Sequence, residues 1–367
     1  MRRIFKKLHL WLTFPFGLVI TLVCFSGAML VFEEDIKEII DRDKYFVGSG
    51  SVETLPIGTL LEKVAATLPD SVTVTGITIP SDKERTYMVN LSQPHRAAVY
   101  INPYTSEITG KSDQSGFFYN MLWLHRWLLD DNYTGGKMIV GVSTVAMIII
   151  MITGLIIWWP RTIKRLKGSF KIVTNKGWRR LLYDLHIAGS LYSFILLLVL
   201  ALTGLTWSFD WYGKLYYRTF GVTQQQERGH GGGHGCGNIE EPTLPASYIN
   251  WQKVYERIAE DNPGYQEINI YDGMAQVSSG ALGNRLALDS YAFNGPTGEI
   301  TSYSSHKDTD QETKVWGWTY SIHTGIWGGM LTKILSFIAA VLGATLPLTG
   351  CCLWIKRKKK HEEYKLR

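Results

Sequence analysis

Residues 8–32 read LHLWLTFPFGLVITLVCFSGAMLVF, and residues 185–209 read LHIAGSLYSFILLLVLALTGLTWSF. Neither stretch holds a charged side chain, and each is long enough to cross a bilayer core, which takes about 20 apolar residues. Both open on Leu-His. In both, the histidine stands 18 residues ahead of a glycine, His9 before Gly27 and His186 before Gly204, and Phe25-Ser26-Gly27 answers Leu202-Thr203-Gly204. The two stretches are therefore expected to be copies of one span.

Two more charge-free stretches lie at 138–159 and 334–355. Lys137 precedes Gly154 by 17 residues and Lys333 precedes Gly350 by 17, with Ile152-Thr153-Gly154 answering Leu348-Thr349-Gly350. The connections between spans also correspond, since Thr105-Ser106-Glu107-Ile108-Thr109 aligns with Thr297-Gly298-Glu299-Ile300-Thr301. The chain thus reads as one unit of two helices and an outer domain, written twice.

The mean hydropathy near zero hides this division, because apolar spans and polar connections average out. A basic n-region (Arg2, Arg3, Lys6, Lys7) before the first stretch resembles a signal peptide. Its apolar run is longer than such a region needs, and its copy at 185–209 lies in mid-chain, so a retained span is expected.

Positive charge sets the expected orientation, because short loops rich in Lys and Arg stay in the cytoplasm. Arg161, Lys164, Arg165, Lys167, Lys171, Lys176, Arg179 and Arg180 crowd the connection between spans two and three, and Lys356 to Lys360 follow span four. Both termini and that connection are then cytoplasmic, and the two long connections face outward. The net charge of +6 is topogenic and implies no nucleic-acid partner. Because both copies start on the same side, they are expected as parallel repeats about an axis along the membrane normal.

The expected division is a first span (1–32), a first outer domain (33–118), an interfacial helix with span two (119–160) and a basic loop (161–180). Span three (181–209), a second outer domain (210–314), an interfacial helix with span four (315–356) and a tail (357–367) complete it. The outer domains read as small α+β modules. A helix at 56–68 precedes strands at 72–79, 86–91 and 97–101, and a helix at 251–260 precedes strands at 266–270, 275–278, 286–288 and 290–293. Cys24, Cys351 and Cys352 lie in spans and leave Cys236 alone outside, so no disulfide framework is expected.

Four of nine histidines mark the ends of apolar helices: His9 and His186 at the cytoplasmic end, His125 and His323 at the outer end. In a parallel repeat, equivalent residues share a depth, so each pair can face itself across the axis. That arrangement suits axial ligation of a haem by two helices, which leaves no open iron position and favours electron transfer. With no Cys-x-x-Cys-His motif, the expected cofactor is haem b, two per chain. The plain alternative is that each is a polar residue at a membrane boundary. The four Ser/Thr-Gly pairs could seat something at a helix surface, but small residues more often let helices pack closely, and that is expected; Trp123, Trp127, Trp316, Trp318 and Trp327 are expected to form an aromatic belt. His230, His234 and Cys236, in the Gly-rich run 230–236, are candidate metal ligands on what otherwise reads as a linker.

At Leu8-His9 and Leu124-His125-Arg126-Trp127, with two outer domains between spans, the chain resembles the PepSY-associated transmembrane family over nearly its full length. That family includes iron-regulated inner-membrane proteins and haem-containing ferric-siderophore reductases. The resemblance implies PepSY-like periplasmic domains and a di-haem reductase acting on a ferric chelate or siderophore. Tyr320-Ser321-Ile322-His323 lacks the Arg-Trp that follows His125, a departure from the family pattern. No nicotinamide or flavin motif is present, so the electron donor is expected to be a cytoplasmic partner or a membrane quinol. Two other classes compete: a PepSY ligand-binding or signalling module without redox activity, and a transporter, which the lack of acidic residues in the charge-free stretches disfavours.

Overall fold

The structure is a computed structural model that describes residues 2–48, 53–94, 97–112, 116–160, 162–222, 248–280 and 283–365, with side chains described to residue 357 in the last helix. Its helices are α1 (Arg2–Val31), α2 (Glu33–Ile40), α3 (Arg42–Tyr45), α4 (Ile57–Ala65), α5 (Phe117–Trp127) and α6 (Gly135–Trp158). They continue with α7 (Ile163–Ser169), α8 (Trp178–Ser208), α9 (Asp210–Thr219), α10 (Trp251–Asp261), α11 (Gln311–Thr324) and α12 (Gly329–Lys365). The strands are β1 (Val74–Pro80), β2 (Tyr87–Leu91), β3 (Ala98–Ile101), β4 (Ile108–Ser112), β5 (Glu267–Tyr271), β6 (Met274–Ser278), β7 (Leu288–Phe293) and β8 (Ile300–Ser304). They fall into two compact units, one of Met1–Phe32, Phe117–Thr219 and Ile322–Arg367, the other of Glu33–Gly116 and Phe220–Ser321.

In the helical unit, four helical stretches are long and apolar enough to cross a membrane: α1, α6, α8 and Ile326–Arg357. They coincide with the four charge-free stretches of the sequence. α1 and α8 each pack on both α6 and α12, which closes the four into a ring. Small residues draw the helices together, as close helix packing in lipid requires. Thr21 Oγ1 donates to the Ala344 carbonyl at 3.0 Å, and a Cβ at Gly343 would stand 3.0 Å from both Cys24 Sγ and Leu197 Cδ2. Leu18, Ile195 and Leu331 face outward with two thirds of their surface or more uncovered, as hydrocarbon surroundings allow.

The turn from α5 to α6 explains the Gly135-Gly136 break. A Cβ at Gly136 would lie 1.7 Å from the Trp127 carbonyl oxygen, and the Gly136 amide donates to Asp130 Oδ2 at 2.8 Å. Hydrogen bonds from the Gly136 and Asn132 amides hold the Asp130 carboxyl below the usual range, so it caps α6 as an anion. At the corresponding end of α12, Gly325 takes a left-handed φ of +77°, and Thr332 Oγ1 donates to its carbonyl at 2.6 Å. His125 and His323 sit on the short helices that precede these breaks, as expected. The basic loop contains a helix, α7, that the sequence reading left out.

In the second unit, the two expected modules share a single antiparallel sheet in the order β4-β3-β2-β1-β5-β6-β7-β8. The seam is β1 against β5, with Ile77 opposite Ile270 and Thr78 opposite Asn269. Thr78 Oγ1 donates to Asn269 Oδ1 across it at 2.6 Å. Burial alternates along β5 and β6, the period of a strand with one covered face. The cover is α4 and α10, whose apolar faces follow helical spacing: Ile57, Leu60, Leu61 and Val64 on one, Trp251, Val254 and Ile258 on the other. These side chains form one core with Ile77, Ile79, Ile268 and Ile270, each fully buried aliphatic contributing about 1.5–3 kcal/mol.

The hairpins β3–β4 and β7–β8 have the same turn. Asn102 and Asn294 bond through their backbone amides to the carbonyls of Glu107 at 2.8 Å and Glu299 at 2.9 Å, and Ser106 takes the left-handed φ (+57°) that Gly298 takes (+66°). Two strand readings change. The strands read at 286–288 and 290–293 are one strand, β7, from Leu288 to Phe293, and residues 286–287 belong to an Asn284 turn in which the Leu286 amide bonds Asn284 Oδ1 at 3.0 Å. β4 and β8 were not read as strands because ITGKS and ITSYS carry few apolar residues; as sheet edges they need few.

A shared core predicts shared stability. Ile77→Ala and Ile270→Ala should each cost about 2–5 kcal/mol and each raise amide hydrogen exchange in the strands of both halves. Loss of protection confined to the substituted half would contradict a single sheet.

Candidate functional site: four seated imidazoles

Each of the four helix-end histidines rests on a Ser/Thr-Gly pair of a neighbouring helix. His9 on α1 bonds through Nδ1 to the Ile150 carbonyl at 3.0 Å and to Thr153 Oγ1 at 3.2 Å. His125 on α5 bonds the Val23 carbonyl at 2.9 Å and Ser26 Oγ at 3.4 Å. His186 on α8 bonds Thr349 Oγ1 at 3.0 Å. His323 on α11 bonds the Leu200 carbonyl at 3.1 Å and Thr203 Oγ1 at 3.0 Å.

The glycine beside each hydroxyl makes room for the ring. A Cβ at Gly27, Gly154, Gly204 or Gly350 would stand 2.8, 3.2, 3.0 or 3.2 Å from the Cε1 of His125, His9, His323 or His186. The Ser/Thr-Gly pairs were expected to bring helix backbones together. They instead form a shallow seat for an imidazole, since any larger residue would fill the space the ring occupies.

The hydrogen bonds also fix the tautomer. Thr153, Ser26, Thr203 and Thr349 each give their single hydroxyl proton to a carbonyl of their own helix, so toward the histidine they only accept. A carbonyl only accepts as well. Nδ1 must therefore carry the proton, which leaves Nε2 as the unprotonated nitrogen with its lone pair available. Metal-binding histidines have this arrangement, with one nitrogen tied to a carbonyl and the other presented as ligand.

His125 and His323 are adjacent. The rings of His125 and His323 lie with centroids 6.1 Å apart and planes inclined at 55°, and Trp207 flanks His323 at 5.1 Å. Arg126 is close enough to act electrostatically on both. At the other end, His9 and His186 lie within electrostatic reach of one another. One turn beyond the seat of His9, Trp158 Nε1 is buried with no hydrogen-bond partner among the described residues. α1 carries both His9 and the seat of His125 at Gly27, and 18 residues of helix separate the two levels by about 27 Å, close to a hydrocarbon core.

The remaining candidates fall elsewhere. His230, His234 and Cys236 lie outside the described residues, as does His95. His306 is held by Asp289, with Nδ1 2.8 Å from Oδ1. Among the described residues no group of three or more His, Cys, Asp or Glu converges; a site with two imidazoles supplies only two. Of the expected aromatic belt, Trp123 Nε1 donates to the Asp130 carbonyl at 3.3 Å, Arg126 covers the Trp127 ring at 4.4 Å, and Trp316 stacks on Tyr320. α8 begins earlier than the charge-free stretch and so includes Asp184. That buried carboxylate accepts from Arg180 Nε at 2.8 Å and from the Val173 amide at 3.1 Å, ties that anchor the loop before the helix.

No curated protein matches this chain. A family model described as the PepSY-associated TM region matches residues 6–357. That span takes in all four candidate membrane helices, the whole sheet and the four seated histidines, and the chain belongs to the PepSY-associated TM family.

Proposed function

We propose that this membrane protein is a haem-dependent ferric-chelate reductase that moves electrons across the bacterial inner membrane to a ferric siderophore or similar chelate on the periplasmic side. The observation that carries the reading is the fourfold seat. Four imidazoles each have Nδ1 spent on a neighbouring helix, a glycine under the ring and Nε2 left as a ligand nitrogen, at two levels about one hydrocarbon thickness apart.

The donor set fits haem b. His125 and His323, whose ring centres stand 6.1 Å apart, would hold one such group between them. His9 with His186 would hold the second group. Arg126 offers a cation for a haem carboxylate at the outer pair, and the orphaned Trp158 Nε1 offers a donor near the inner pair. Held by one imidazole from each of two helices, such a group would supply one-electron transfer.

The chain's own residues then have three tasks. Ser26, Thr153, Thr203 and Thr349 hold each imidazole turned with Nδ1 toward the neighbouring helix and Nε2 away from it. The ring of α1, α6, α8 and α12 surrounds both sites with apolar side chains and excludes water. The duplication, read as parallel repeats, sets each pair at one depth, with the basic loops cytoplasmic and the sheet unit periplasmic. The electron donor is a cytoplasmic partner or a quinol. A PepSY binding module without redox activity would need a ligand surface but has no use for four matched imidazoles.

Protein purified from haem-replete cells should carry non-covalent b-type haem at about two per chain; haem-free protein would overturn the proposal. His9→Ala and His186→Ala should delete one haem, and His125→Ala and His323→Ala the other, by optical spectra. Loss of different haems within either pair would break the pairing. Reduced protein mixed anaerobically with a ferric siderophore should reoxidise, and His323→Ala should abolish this while the inner haem remains. Reoxidation that survives loss of the outer haem, or no reoxidation by any ferric chelate, would defeat the reductase reading.

A further inference from the structure

The sheet unit carries a groove that the four histidines do not involve. Among the described residues its walls include Asn284, Arg285, His306, Lys307, Lys314 and Trp318, around a volume of about 420 Å³. A cavity of about 220 Å³ adjoins it and shares His306 as a wall. The larger volume is within the usual range for a bound small molecule, about 300–1,000 Å³.

Its charge is one-sided. Arg285, Lys307 and Lys314 line it, and among the described residues no carboxylate does. Lys314 Nζ donates to the Lys307 carbonyl at 2.6 Å. That bond fixes the ammonium against the wall and leaves two of its three protons for another acceptor. Arg285 bonds through its backbone amide to Ser321 Oγ at 2.8 Å, and its guanidinium lies within electrostatic reach of Glu267.

The acid of the adjoining cavity, Asp289, is already committed. Its Oδ1 accepts from the His306 amide at 2.7 Å and from His306 Nδ1 at 2.8 Å. Burial works to raise the Asp289 carboxyl, but these hydrogen bonds outweigh it and hold the group below its ordinary range. Asp289 therefore stays an anion beside the groove, and the three cations leave the site net positive. Trp318 adds an aromatic wall, and Gly283, at a φ of +117°, lets the loop close on it, since a Cβ there would stand 3.1 Å from the ring.

We infer that this groove binds a multiply charged, carboxylate-rich iron chelate in preference to a neutral one. A single small anion needs one cation; three around a ligand-sized volume suit an anion with charge on several sides. The inference rests on the ferric-chelate reading for the metal and on the groove alone for the charge.

Gallium(III) citrate, which has the charge of the ferric complex but accepts no electron, tests it by calorimetric titration into the detergent-purified full chain. Iron-free citrate, sulfate and a neutral gallium trihydroxamate run in parallel. Gallium citrate should bind, more weakly as salt rises, and bind more tightly than the three comparators. Arg285→Glu and Lys307→Glu should each weaken it about tenfold or more, while Arg285→Lys and Lys307→Arg retain most of it and all four variants keep the wild-type circular dichroism. No binding, binding indifferent to charge reversal, or equal binding of the trihydroxamate or of iron-free citrate would overturn the inference. Because gallium cannot be reduced, the two readings fail separately. A chain that binds gallium citrate yet is never reoxidised by ferric chelates defeats only the reductase reading.

Discussion

His9, His125, His186 and His323 each give the Nδ1 proton to a hydroxyl or carbonyl on the next helix, and a glycine under each ring leaves it room to lie close. That contact sets the ring's direction, its tautomer and the closeness of two helices at once. It recurs four times, at His9, His125, His186 and His323, each time on a different helix. The apolar ring of α1, α6, α8 and α12 surrounds these seats, and the contact is worth more there than in water, since neither partner has solvent to fall back on. A histidine used only as a polar boundary residue would reach for the interface. These four are instead turned onto a neighbouring helix.

The sheet unit follows a comparable economy. β1 and β5 join two four-stranded halves edge to edge, so neither half exposes an unpaired strand at the seam. α4 and α10 then cover a single core, and a hydrogen bond from the Ile57 amide to Gln252 Oε1 links the two helices at 2.9 Å. Edges remain only at β4 and β8, which are the most polar strands of the set. The result is a rigid base from which the 284–287 turn and the loop carrying His306 and Lys307 project as groove walls.

Much of this was legible in the residues. The four spans follow from the absence of charge over bilayer-length stretches, and the pairing of histidines from the spacings His9 to Gly27 and His186 to Gly204. The glycine seats were visible but read as helix packing, because spacing alone does not say whether a backbone or a ring fills the gap beside a glycine. The signal was the recurrence of a Ser/Thr-Gly pair in each of the four spans, as many as the helix-end histidines, which only a three-dimensional neighbour relation turns into contacts. The fusion of two modules into one sheet was hidden for a similar reason: pairing of β1 with β5 is between edges far apart in sequence, and β-branched edge residues look alike whether paired or free. The basic groove was missed because Arg285, Lys307 and Lys314 come from two loops and a helix and are unremarkable singly.

The central claim is that the two pairs of seated histidines are axial ligand pairs. Electron paramagnetic resonance of the oxidised, detergent-purified protein tests it most directly, because the spin state of ferric haem reports how many strong axial ligands the iron has. The account predicts low-spin ferric signals only, with one component lost on substituting either member of the His9–His186 pair and another on substituting either member of the His125–His323 pair. A high-spin ferric signal in the unsubstituted protein, or no haem iron signal at all, would contradict it.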